Sequence, residues 1–190
     1  MKAHSNPFAS RHIESLPYIP TGMEWRHIMD RLHSLKGRGA IVGPKGTGKT
    51  TLLEELERRL AKKGFRVSLV RLNQEDKKPN KEEVRRIFAG FTPQSALLVD
   101  GAEQMPWLAW KAFALKARKA GIFIVTSHTP GLLPTLVETA TSPELLRTLA
   151  NQLLPKESPL YPAQALSLFN AHQGNIRMAL RELYDMWALR

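Results

Sequence analysis

The chain has 190 residues, 43% of them hydrophobic, with 28 Lys and Arg against 17 Asp and Glu for a formal net charge of +11. That length suits one α/β domain with a small appendage, burying roughly 70% of its unfolded surface, and the lack of cysteine excludes disulfides and thiolate metal sites. Met1 to Ser10 lacks the apolar stretch of a secretory signal and no apolar run approaches the ~20 residues of a bilayer-spanning helix, so a soluble, cytoplasmic protein without membrane insertion is expected.

Thr21 and Glu24 have capping-box spacing, and Trp25, Ile28, Met29, Leu32 and Leu35 mark one face of a helix that Gly37 and Gly39 end. Ala40, Ile41 and Val42 then read as the end of a buried strand. Directly after it, Gly43-Pro44-Lys45-Gly46-Thr47-Gly48-Lys49-Thr50 fits GxxxxGK[ST], a phosphate-cradling loop. Gly46 and Gly48 let backbone N–H groups approach phosphate oxygens with no Cβ in the way. The helix that follows, from about Thr50 to Lys63 with Leu52, Leu53, Leu56 and Leu60 on one face, aims its positive end at the same anion. Lys49 is assigned to the β- and γ-phosphates and the Thr50 hydroxyl to Mg²⁺. Thr51 closes the nucleotide-binding segment, and a nucleoside triphosphate is the expected ligand.

Phe65 to Leu72 reads as a second strand, and Asn80 with Glu83 as the cap of a helix through Phe88. Ala96 to Asp100 is a third strand of buried character. Trp107 to Ala120 is helical with Gly121 as its stop, Ile122 to Thr126 is a fourth strand, and Thr135 to Ala140 a fifth. From Ser142 the pattern turns all-helical. Ser142 is an N-cap with Pro143 at the first helical position, Pro162 to His172 forms a second helix, and Asn175 to Leu189 a third. The expected architecture is a three-layer α/β sandwich on a parallel five-stranded sheet, residues 1–141, with a small helical lid, residues 142–190.

Ser95-Ala96-Leu97-Leu98-Val99-Asp100 has the form of a Walker B strand, whose terminal acid supports the metal bound by Thr50. Many hydrolysing relatives carry a glutamate in the next position. Here that position is Gly101, and the nearest carboxylate is Glu103, which either serves as general base for the attacking water or is an exposed helix-leading acid without chemistry. The fourth strand ends Val125-Thr126-Ser127-His128, placing Thr126 or Ser127 as donors to the γ-phosphate or the water. His128 reads more simply as an ordinary loop histidine. Gly174-Asn175-Ile176-Arg177 opens the last helix, and the guanidinium fork of Arg177 suits phosphate recognition by a closing lid.

The leading helix, GPKGTGKT, LLVDGAEQ, the polar-tipped VTSH strand and the GNIR lid together resemble the AAA+ ATPases and their STAND signalling relatives. The resemblance covers most of the chain from about Asn6. It implies a P-loop NTPase fold with the 65–72 strand at one sheet edge and the 122–126 strand beside the phosphate loop. It also implies ATP and Mg²⁺ as cofactors, Thr126 or Ser127 as γ-phosphate sensor, Arg177 as second sensor, and an adenine pocket around Phe8 and Tyr18. The guanine-reading NKxD pattern is absent. Two departures, Gly101 and the lack of arginine from His128 to Leu136, leave a rival open: an ATP-binding switch or adaptor that hydrolyses negligibly.

Between Arg58 and Arg86 there are 11 Lys and Arg against 4 Asp and Glu. This excess is a candidate footprint for nucleic acid, or simply a solvated basic surface. A protein partner is the third expected class of ligand.

Overall fold

The structure, a computed structural model, describes residues 6–20, 23–73 and 81–189. By contact density the chain divides into two compact units, Gly22–Gly43 with Lys49–Thr139, and Met1–Thr21 with Pro44–Gly48 and Ala140–Arg190.

The first unit holds the sheet. Its elements are α2 (Trp25–Ser34), β1 (Arg38–Val42), α3 (Lys49–Lys62), β2 (Arg66–Arg71), α4 (Lys81–Ala89), β3 (Ser95–Asp100), α5 (Trp107–Ala117), β4 (Ile122–Ser127) and β5 (Thr135–Glu138). The five strands lie in the order β2-β3-β4-β1-β5, all parallel. This agrees with the expected edge position of β2 and with β4 beside β1. Because β3 and β4 are central, both their faces are covered, and Ala96 to Val99 and Ile124 to Val125 are completely buried. The pleat divides the core between the faces. Leu97, Val99, Phe123 and Val125 join Trp110, Phe113 and Ala117 of α5 in one cluster, while α3 packs on the sheet with Leu52, Leu53, Leu56 and Leu60 wholly buried.

Three boundaries differ from expectation by two residues or more, the first being β5, which ends at Glu138 rather than Ala140. The α5 helix ends about one turn early, because Arg118 to Ala120 form a tighter turn whose amides bond three residues back. The N-terminus of α2 has Glu24 as its cap, without a side-chain hydrogen bond. The expected partner Thr21 lies outside the described residues, as does Asn80 before α4.

The second unit contains α1 (Ser10–Glu14), α6 (Pro143–Leu153), α7 (Pro162–Ala171) and α8 (Ile176–Ala188). Ser142 caps α6 as expected, its Oγ accepting from the Leu145 amide at 3.1 Å. Asn175 caps α8 by accepting from Met178 N at 3.2 Å. By contact density the N-terminal segment groups with these helices. The Asn6 side chain donates to Tyr184 O at 2.9 Å, and Phe8 is buried at 2% exposure among Leu146, Ala150, Ile176 and Leu183, edge-on to Trp187.

Candidate functional site

Within the sheet unit, four sequence-predicted residues converge at the carboxyl ends of β1, β3 and β4. Asp100 is the centre. Thr50, in the first turn of α3, donates from Oγ1 to Asp100 Oδ2 at 2.9 Å, and Thr126 at the end of β4 donates to Asp100 Oδ1 at 2.6 Å. Thr126 is itself held, since its Oγ1 accepts from the Gly101 amide at 2.8 Å. Each carboxylate oxygen thus has a hydroxyl donor, and the acid is fixed in one orientation. Lys49 is buried at 9% exposure and donates from Nζ to Gly43 O at 2.7 Å. Thr51 is half-buried on the next position of α3.

Ser127 serves a different purpose from its neighbour. Its hydroxyl donates to Thr129 O at 2.7 Å and accepts from Thr129 N at 3.3 Å, closing a local turn. That turn presents His128, whose Nε2 lies 3.0 Å from Glu103 Oε1. The other oxygen, Glu103 Oε2, is buried without a hydrogen-bond partner among the described residues. Glu103 stands on the 3-10 turn Ala102–Gln104 directly after β3.

Gly101 starts that turn with φ +76°, and a Cβ there would lie 2.6 Å from the Leu72 carbonyl oxygen. The left-handed backbone and the close carbonyl leave no room for a side chain. The position is backbone-constrained to glycine.

In the helical unit, the loop segment Pro44–Gly48 has its own surroundings. Gly46 takes φ +84°, and a Cβ on it would collide with the Asn175 amide at the start of α8. The glycine therefore lets the N-terminus of α8 approach the loop. Thr47, buried, donates from Oγ1 to Pro44 O at 2.9 Å, closing the loop on itself, while Pro44 and Lys45 are exposed. Tyr18 carbons come within 3.5 Å of where a Gly48 Cβ would stand, and burial pushes the Tyr18 phenol above its usual 10.0. The expectation for Phe8 is corrected: its ring is consumed in the helical core, with no open face for a base. Arg177 is exposed on the first turn of α8 and forms no ion pair among the described residues.

The basic stretch is partly neutralised. Arg58 and Arg59 both pair with Glu55 at 2.7 Å, and Arg71 with Glu54 at 2.8 Å. These acids lie on α3 just before the counted window. Lys77 and Lys78 fall outside the described residues.

Three comparisons bear on this geometry. The family described as MobB, molybdopterin guanine dinucleotide synthesis protein B, matches residues 40–96, a span that contains the phosphate loop and stops before Asp100. No curated protein matches the chain. Among solved structures, the Thermotoga maritima RuvB Holliday junction branch migration motor is similar at TM-score 0.55 and 15% identity, over 90% of this chain and 64% of that one. Two RuvB variants are similar at TM-scores of 0.53 and 0.54, each at 16% identity, over 83% and 85% of this chain. This chain spans 58–64% of those RuvB chains. The fold is that of the P-loop nucleotide-binding NTPases. Among the described residues no helix is long and apolar enough to cross a membrane.

Proposed function

We propose that the protein is a Mg²⁺-dependent ATPase of AAA+ type that couples nucleotide state to a helical lid. The observation that carries this reading is Asp100 held by Thr50 on one oxygen and Thr126 on the other, directly beside a complete phosphate-loop sequence. In this reading Gly43 to Gly48 supply backbone amides to the phosphates, Lys49 leaves Gly43 O to meet the β- and γ-oxygens, and Arg177 joins when the lid closes.

The residues fit a magnesium ion by their chemistry. A threonine hydroxyl and a single carboxylate are hard oxygen donors, and Mg²⁺ keeps water and phosphate oxygens in its remaining positions. Among the described residues no cluster of three His, Cys, Asp or Glu offers an all-protein cage. Thr50 and Asp100 would hold it. When bound, the metal offsets charge on the β- and γ-oxygens. Thr126 keeps Asp100 aligned through its hydrogen bond, and Glu103 is the carboxylate available to orient and deprotonate the attacking water.

ATP is preferred to GTP in this reading because NKxD is absent, although guanine appears in the name of the matched MobB family. Phosphate release from Mg-ATP, abolished by Asp100→Asn, tests the proposal; turnover unchanged by that substitution contradicts it.

A second reading, an ATP-binding switch with negligible hydrolysis, draws on Gly101, whose backbone excludes the usual glutamate. Nucleotide uptake without phosphate release would favour it. Nucleic acid, through the 58–86 region, and separately a protein partner belong to the proposal. Nucleic-acid binding there would weaken steeply with salt, and a salt-independent association would remove that partner class.

A further inference from the structure

Helix α5 is apolar on two sides. Its inward face puts Trp110, Phe113 and Ala117 into the core beside the sheet, while Trp107, Leu108 and Leu115 stand on the outward face at 67%, 75% and 63% exposure. Successive helical residues turn by about 100°, so Trp107, Lys111, Leu115 and Leu108 fall within roughly 100° of arc. Trp107, Lys111 and Leu115 form the i, i+4, i+8 row with which helices pack on one another. A helix with large apolar side chains on both sides belongs between two covers, and the sheet supplies one. The charge beside the row is one-sided. Between Gln104 and Val137 the sequence has four Lys and Arg and no Asp or Glu. Lys111 lies over the Trp107 ring, 5.4 Å from its centroid, and Lys111, Lys116 and Lys119 are exposed with no ion pair among the described residues.

We propose that the outward face of α5 docks an acidic amphipathic helix of a partner protein, whose apolar stripe covers Trp107, Leu108 and Leu115 and whose Asp and Glu side chains meet Lys111, Lys116 and Lys119. This goes beyond the ATPase reading and does not depend on nucleotide turnover. The chemistry of the row selects this occupant. A second copy of the chain would bring the same lysines to an isologous contact and set like charges face to face. Nucleic acid would answer the lysines, but bases stack on aromatic rings, and Leu108 and Leu115 offer them none. A membrane would place Lys111, at the centre of the row, on the side that enters lipid, whereas interfacial helices keep their lysines on the polar face. A partner helix answers both features. Its apolar stripe removes the indole and leucine carbons from water, and its acids give the contact a charge preference.

The test uses the full chain without nucleotide and a set of labelled synthetic helical peptides with leucines at i, i+3, i+4 and i+7. One peptide is flanked by glutamates, a second has lysine at every glutamate position, and a third keeps the glutamates with the leucine order scrambled. Fluorescence anisotropy should show saturable uptake of the acidic peptide, about tenfold or more tighter than of the other two. Trp107→Ala should weaken that uptake by about tenfold or more, with thermal melting unchanged because the indole is largely exposed. The Lys111→Glu/Lys119→Glu pair should reverse the preference toward the lysine peptide, which an indiscriminately adhesive apolar patch would not do. No uptake of the acidic peptide, equal uptake of the acidic and lysine peptides, or a preference that survives the charge reversal overturns the inference. So does tighter Trp107-dependent binding to oligo-dT or to phosphatidylserine vesicles, or a dimer in sedimentation that Trp107→Ala dissolves, since each gives the face to a different occupant. Absent ATP turnover would remove the ATPase reading and leave this one standing.

Discussion

Thr126 donates a 2.6 Å hydrogen bond to Asp100 while accepting one from the Gly101 amide at 2.8 Å, so one hydroxyl ties the end of β4 to the end of β3 and fixes the turn that follows. It sets the direction of the acid, and it sets where the chain goes after the acid.

Thr126→Val keeps the shape and removes the hydroxyl. It leaves Asp100 Oδ1 and the Gly101 amide without their partner in a site 1% exposed, which costs about 1–3 kcal/mol. The urea midpoint should fall accordingly, and the concentration of magnesium needed for ATP turnover should rise.

At Gly101, alanine brings both a φ of +76° and a Cβ 2.6 Å from Leu72 O. A destabilisation of about 1–3 kcal/mol is expected, read by denaturation. Gly101→Glu should not raise turnover above wild type, because the added carboxylate enters by distorting the turn that carries Glu103.

Gly46→Ala should weaken ATP uptake at least tenfold in calorimetry while leaving the melting of the sheet unit unchanged. Its Cβ collides with the Asn175 amide, and its φ of +84° is unfavourable for a side chain. Adding Asn175→Ala removes the collision and leaves the backbone strain, so the double variant should recover only part of the lost affinity.

The Glu55 carboxyl reports on the α3 surface. Burial pushes it up, but hydrogen bonds and charge from Arg58 and Arg59 outweigh burial and hold it below the usual 4.5. Its contribution to stability is present above the unfolded value and is lost as pH falls through the lowered folded one. Glu55→Gln should therefore cost about 0.2–1 kcal/mol at neutral pH, with wild type and variant converging in denaturation measured well below pH 4.

Much of this arrangement is readable in the sequence because its signals are local. The phosphate loop is contiguous, the buried strands are short apolar runs between turn residues, and Ser142 and Asn175 announce their helices by type and position. What escapes is non-local or conformational. Glu103 and His128 are 25 positions apart in sequence, and only the placement of β4 beside β3 brings them together. Gly101 looks like a missing catalytic acid until its φ and the Leu72 carbonyl explain the glycine. Phe8 looks available for a base until the helices of the second unit enclose it. The five-residue α1 is too short to show a helical period, and counting charge from Arg58 onward separates Arg58 and Arg59 from the Glu55 that pairs with both.

The most direct measurement is isothermal titration calorimetry of the folded chain with ATP and magnesium, set beside Lys49→Ala, whose wild-type ammonium is buried against Gly43 O at 2.7 Å. The account predicts saturable, magnesium-dependent uptake near one nucleotide per chain in wild type and at least a tenfold loss of affinity in the variant. Well-folded wild-type protein that takes up neither ATP nor GTP would contradict it.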